Sequence, residues 1–217
     1  MIAGGHSDNV QVNRSVTLWA PQRKQCSLPS LPPSTPPVWY DWMDHTIDWV
    51  EKYGKLVACT CLGSDNNQCI CVQFKSGNWT HLGNMTHERF YHTSAVIGNH
   101  VLLVGGASSA IGDPQNSTEY MSIENGTSIE GPPMVHARLA HCSIQVDSST
   151  IILTGGQTGT DGSTVDSVVQ YSELGVDKQP TTTELSPMKK ARTGHACGEF
   201  KRSKGVWHDP EQVGSLI

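Results

Sequence analysis

Apolar residues in this chain come in runs of four or five, set between polar and glycine-rich stretches. "VLLV" at 101–104, "IILT" at 151–154 and "LVACTC" at 56–61 have the length and composition of buried strands. No segment sustains a 3.6-residue apolar period, so long helices are not predicted. Each run ends in two small residues: Gly105-Gly106, Gly155-Gly156 and, in altered form, Thr60-Cys61. The chain itself opens on "MIAGG", with Gly4-Gly5 in the same place. Beyond each pair lies a variable, turn-rich stretch, then a second strand ending in an aromatic: Trp19, Phe74, Tyr120 and Tyr171.

A further frame, M-x-x-x-R-x-x-H, follows. It reads "MTHERFYH" at 85–92, "MVHARLAH" at 134–141 and "MKKARTGH" at 188–195, which sets Arg89, Arg138 and Arg192 beside His92, His141 and His195. Counting His45 as the first of the series, the histidines are spaced by 47, 49 and 54 residues. A period near fifty with about four strands per unit indicates sheets that cannot each bury both faces and therefore stack about an axis.

A glycine pair after an apolar strand, an aromatic some 13 to 15 residues later, then Trp79 and R-x-x-H, resembles the kelch repeat. The resemblance implies an all-β, kelch-type β-propeller. The expected division is a partial blade with a Pro/Trp-rich insertion at 1–44, blades at 45–91, 92–140 and 141–194, and the start of another blade or a tail at 195–217. "CSLPSLPPSTP" at 26–36 and the cysteine-rich hairpin are most similar to secreted, cysteine-containing kelch proteins of invertebrates. In kelch propellers the glycine pair ends the second strand of a blade, where a Cβ would crowd the neighbouring sheet. Kelch rings close with five to seven blades, so three full units imply either a fragment or a self-associating half-ring.

Composition narrows the role. Only 16% of residues are charged and the net charge is −5, which disfavours nucleic acid as a partner. No apolar stretch approaches the roughly 20 residues of a membrane-spanning helix. The opening residues are not a signal peptide, because they lack a basic region and an apolar core. Two features nonetheless point outside the cell. Five N-x-S/T sequons begin at Asn13, Asn78, Asn84, Asn116 and Asn125, against about one or two expected by chance for this composition. The segment "VACTCLGSDNNQCICVQF" at 57–74 holds four of the seven cysteines. Cys59 with Cys71, and Cys61 with Cys69, share one index sum, so an antiparallel hairpin would set each pair face to face. One or two disulfides are expected there, with 61–69, nearest the loop, the first choice. A Cys₄ metal site lacks the usual spacing. Cys26, Cys142 and Cys197 have no evident partner.

No phosphate loop, nucleophile elbow or zinc-protease motif is present. The Met, Arg and His of the frame are therefore expected to be scaffold, hydrogen-bonding loop carbonyls between blades, with no cofactor and no catalysis. Recognition is expected in the loops after the glycine pairs, which include Asp65, Asp113, Gln115 and Asp161, and in the Trp-rich stretch of Trp39 and Trp42. The expected function is an extracellular module binding a protein or glycan. The alternatives are an intracellular adaptor of the ubiquitin-ligase type, which kelch propellers often are, and a kelch-like oxidase or isomerase acting on sugars.

Overall fold

A computed structural model describes residues 45–61, 69–75, 78–109, 112–159 and 161–198, together with two short strands, β1 (Ile2–Ala3) and β2 (Val16–Thr17). Gly4, Gly5, Asn13, Trp19, Cys26, Trp39, Trp42 and Asp65 lie outside the described residues.

Twelve further strands form three antiparallel four-stranded meanders. The first sheet is β3 (Thr46–Val50), β4 (Lys55–Cys61), β5 (Cys69–Lys75) and β6 (Asn78–Asn84). The second is β7 (Thr93–Ile97), β8 (His100–Val104), β9 (Thr118–Ser122) and β10 (Ser128–Gly131). The third is β11 (Cys142–Gln145), β12 (Ile151–Thr154), β13 (Val168–Ser172) and β14 (Thr181–Leu185). Helical structure among the described residues is a single 3₁₀ turn, Glu51–Tyr53. None of it could cross a membrane as a helix.

Burial follows position in the meander. β4 and β9 are buried along their whole length, and β9 lies in the middle sheet, which has a neighbouring sheet packed on each face. The outermost strand β14, rich in threonine, is exposed throughout, as an unpaired edge should be. Alternation then decides which neighbour each residue meets. Val57, Cys59 and Cys71 of the first sheet pack against Val101, Leu103 and Met121 of the second. Leu102, Val104 and Tyr120, on the other face of the second sheet, pack against Ile151, Leu153 and Tyr171 of the third.

The ladders fix which residues are equivalent. Thr46 faces Cys59, Thr93 faces Val104, and Cys142 faces Thr154. Thr60-Cys61 thus occupies the place of Gly105-Gly106 and Gly155-Gly156. The hairpin register is the one the cysteine spacing predicts, Cys59 opposite Cys71 and Cys61 opposite Cys69. Both candidate pairs are at disulfide distance, with Cα atoms 4.1 and 3.9 Å apart. Two of the cysteines without an evident partner also meet, Cys142 with Cys197 across 6.0 Å between Cα atoms.

Candidate functional site

The loops joining second and third strands, and the crossovers to the next sheet, gather at one end of the stack. This loop face is built on joints between sheets, and the M-x-x-x-R-x-x-H frame makes each joint. Gly105 and Gly106 hold φ of 61° and 96°, and Gly155 and Gly156 hold 59° and 94°, values that L side chains rarely adopt. A Cβ at Gly105 would lie 2.6 Å from the Arg138 carbonyl oxygen, 2.8 Å from the Met134 methyl and 3.1 Å from the His141 ring. At Gly155 the same three partners recur one unit later: the Arg192 carbonyl at 2.5 Å, His195 at 2.8 Å and Met188 at 2.9 Å. The glycine pair of one sheet therefore makes room for the Met, Arg and His that begin the next.

Hydrogen bonds repeat in the same way. Gly106 N–H donates to the Arg138 carbonyl and Gly156 N–H to the Arg192 carbonyl, both at 2.8 Å. Met85, Met134 and Met188 donate their amides to the carbonyls of Cys69, Asn116 and Asp166, three equivalent positions. Nearer the first strands, Ala140 N–H donates to the Tyr91 carbonyl and Gly194 N–H to the Ala140 carbonyl. Each of these three residues precedes a frame histidine and holds a left-handed φ: 59°, 48° and 61°.

The arginine side chains turn the other way, into their own sheets. Arg89 is fully buried and donates to the carbonyls of Gly105 (3.0 Å) and Ser117 (2.8 Å). Its Nε contacts Glu119 Oε1 at 2.7 Å, an ion pair with no exposed surface. Burial alone would raise the Glu119 carboxyl. Arg89, with hydrogen bonds from Ser128 and Thr86, outweighs it and holds the group below its ordinary range. Arg138 repeats the contact to the Gly155 carbonyl (2.8 Å) but finds Ser167 in place of an acid. Val169 stands where Glu119 does, and burial lowers the pKa of Arg138. The clasp is thus two-handed: backbone carbonyl to the preceding sheet, guanidinium to its own.

The histidines bond hydroxyls across the joint. His92 Nδ1–H donates to the Arg89 carbonyl at 2.5 Å, leaving Nε2 to accept from Thr46 at 3.4 Å. His141 Nε2 and Thr93 Oγ1 lie 2.8 Å apart. Burial pushes His92 down to about 4 and His141 to about 3, so both are neutral at physiological pH. Their separate pairing within successive joints leaves no shared metal site. No group of three or more His, Cys, Asp or Glu among the described residues is arranged to hold a metal ion.

No protein-family model matches the chain. Two curated sequences do, both "Kelch repeat and BTB domain-containing protein 2" of cowpox virus. The GRI-90/Grishak strain protein is 29% identical over 114 residues and the Brighton Red protein 28% over 114 residues. Each match covers 52% of this chain and 19% of the viral protein, so the chain spans about a fifth of these relatives. Among solved structures, YjhT superposes with a TM-score of 0.56 at 10% identity, over 69% of this chain and 53% of that one. The chain is thus similar in sequence to kelch-repeat proteins, and its fold is that of a partial kelch propeller.

Its three sheets are then three kelch blades of a partial propeller. In the first blade, Thr60-Cys61 replaces the glycine pair. The Arg89 amide, which in the next two blades has carbonyl acceptors in the counterparts of Arg138 and Arg192, lies 3.2 Å from both Cys61 Sγ and Cys69 Sγ. Of the aromatics, Tyr120 and Tyr171 are buried between blades, their hydroxyls accepting from the amides of Gly175 and Val135. Phe74 and Trp79 face each other across β5 and β6 with ring centroids 5.1 Å apart.

The variable kelch loops stand above this framework. Gln115 anchors one loop through its amide on the Gly106 carbonyl and its side chain on the Glu88 carbonyl. Asp113 on that loop and Asp161 on the next are exposed. Asp161 accepts from the amide and hydroxyl of Ser163, which hold its carboxyl below the usual range. Asn84, Asn116 and Asn125 are exposed, Asn125 in the turn between β9 and β10. Asn78 lies in β6. Three features were not foreseen: the Glu119 partner, the Thr–His pairs and the Cys142–Cys197 pair. The threonines carried a signal, since Thr46 and Thr93 each follow a frame histidine and Cys142 stands third in that series.

Proposed function

We propose that the chain is a binding module that takes a protein or glycan on its loop face, in an extracellular setting. The observation that carries this reading is the contrast within each variable loop. Residues 107–116 and 157–166 are pinned at both ends by the repeated joint, through Gly106 and Gln115 and through Gly156 and Val165. Their intervening acidic side chains at Asp113 and Asp161 remain exposed. Rigid ends with free, variable tips are how a scaffold presents recognition residues. Three cysteine pairs at disulfide distance and five sequons support the extracellular setting.

The test is a screen of the purified chain against displayed extracellular proteins and an array of glycans. It is run beside a variant whose segments 107–116 and 157–166 are replaced by Gly/Ser of equal length. A ligand bound by the parent and lost in a variant with the same melting temperature supports the reading. A ligand held equally by both defeats it. The kelch–BTB relatives favour a second reading, an intracellular adaptor. Expression through the secretory pathway separates the two: the first predicts a glycan on Asn125 that glycosidase removes, and the second predicts cysteines that stay reduced in the native cell.

A further inference from the structure

Blades one and two each present a threonine just after the frame histidine, and the next unit's histidine bonds it: Thr46 with His92, Thr93 with His141. Blade three breaks the series. Cys142 stands in the threonine position and is bonded to Cys197, two residues past the next frame histidine. His195 bonds Thr154 Oγ1 instead, at 2.8 Å, the residue opposite Cys142 in the ladder. A covalent link has replaced a hydrogen bond at one joint of the stack.

The three cysteine pairs also differ in access. Cys59, Cys61, Cys69 and Cys71 are 0–4% exposed, enclosed between blades. Cys142 and Cys197 are only half-buried. Thiol–disulfide exchange requires a thiolate to reach a sulfur in line, so access sets the order of reduction.

We infer that Cys142–Cys197 is a redox-controlled clasp on the third joint, opened by a dithiol while the hairpin bridges stay closed. In the step, a dithiol's thiolate attacks one sulfur, a mixed disulfide forms, and the second thiol closes a cyclic disulfide. Two electrons and two protons pass to Cys142 and Cys197, leaving two thiols. What then holds residues 188–195 to the stack is a short set of hydrogen bonds: main-chain bonds from Gly156 to the Arg192 carbonyl, Met188 to the Asp166 carbonyl, Arg192 to the Val165 carbonyl and Gly194 to the Ala140 carbonyl, with the His195–Thr154 pair and the Thr193 hydroxyl on the Ala140 carbonyl beside them. The acceptors at 165 and 166 end the loop 157–166, so opening the clasp loosens that loop as well. The inference concerns the joint itself and does not depend on what the loop face binds.

The intact chain is titrated with dithiothreitol under native conditions, alkylated and mapped by peptide mass, with hydrogen exchange followed in parallel. Cys142 and Cys197 should label first. Amides of Gly156, Met188 and Arg192 should then exchange about ten-fold faster or more, while Gly106 and Ala140 keep their protection. Simultaneous labelling of all six cysteines would overturn the inference, as would reduction of this pair with no change at 156 and 188–195. A double variant, Cys142→Thr with Cys197→Ala, restores the residue found in the first two blades. Its joint should be indifferent to dithiothreitol. If it loosens as the parent does, the effect comes from the hairpin and the clasp is not the cause.

Discussion

Arg89 does three things from one position: its amide meets the Cys61 and Cys69 sulfurs, its carbonyl accepts from His92, and its guanidinium holds Gly105, Ser117 and Glu119. Removing it leaves a buried carboxylate without its cation, so Arg89→Met should cost about 3–5 kcal/mol in urea unfolding. Arg138 manages with Val169 in place of the acid. Arg89→Met combined with Glu119→Val should therefore recover part of that loss. Ala140 sits at φ 48°, where Gly194 occupies the next equivalent position. Ala140→Gly should raise stability by up to about 1 kcal/mol, since a left-handed alanine is strained by roughly that amount.

The buried histidines fix a pH dependence. Their folded pKa values, about 4 and about 3, lie below the ordinary 6.5. Between those values the unfolded chain takes up protons that the folded chain refuses, so stability falls as pH drops from 6.5 toward 4. Asp48 acts oppositely, because burial raises it to about 6 against a hydrogen bond from Ser94. The folded state then gains a proton first as pH falls below 6. The two downward histidine shifts together exceed the single upward shift of Asp48, so the histidines prevail. Thermal melts from pH 7 to pH 4 should show a falling midpoint, and His141→Asn should flatten the curve.

At the scale of the element, the cysteine hairpin shows what a sequence can declare. Constant index sums depend only on antiparallel pairing, a local rule, and the register follows it residue by residue. Cys142 with Cys197 obeys no such rule. The two are 55 residues apart and meet only because successive units are stacked, so the pairing needed the third dimension. The Glu119 partner was hidden for a related reason: alternation predicts a buried position, but which neighbour shares it depends on the facing sheet. Cys59 and Cys71 correspond to Val104 and Thr118 of the second blade, where no covalent link exists. Cys59→Val with Cys71→Thr should thus fold to the same hairpin. It should lose about 3 kcal/mol or less, the order expected for a loop this short, read from denaturant midpoints against the parent.

For the whole molecule, the fold was legible because the repeat is redundant: strand, glycine pair, aromatic and M-x-x-x-R-x-x-H return together, and chance does not link four signals. The loop face was less so, since its tips obey no period and carry no motif. The glycine pairs hold one more consequence. A blade's own strands do not finish it, for Gly106 receives its partner from Arg138 and Gly156 from Arg192, residues that come only after the blade's last strand. A ribosome therefore releases each blade unfinished. The intervals, 32 residues from 106 to 138 and 36 from 156 to 192, take roughly two to seven seconds to translate. Throughout that time the nascent chain carries an open glycine seat, vacant for whatever methionine, arginine and histidine arrive next.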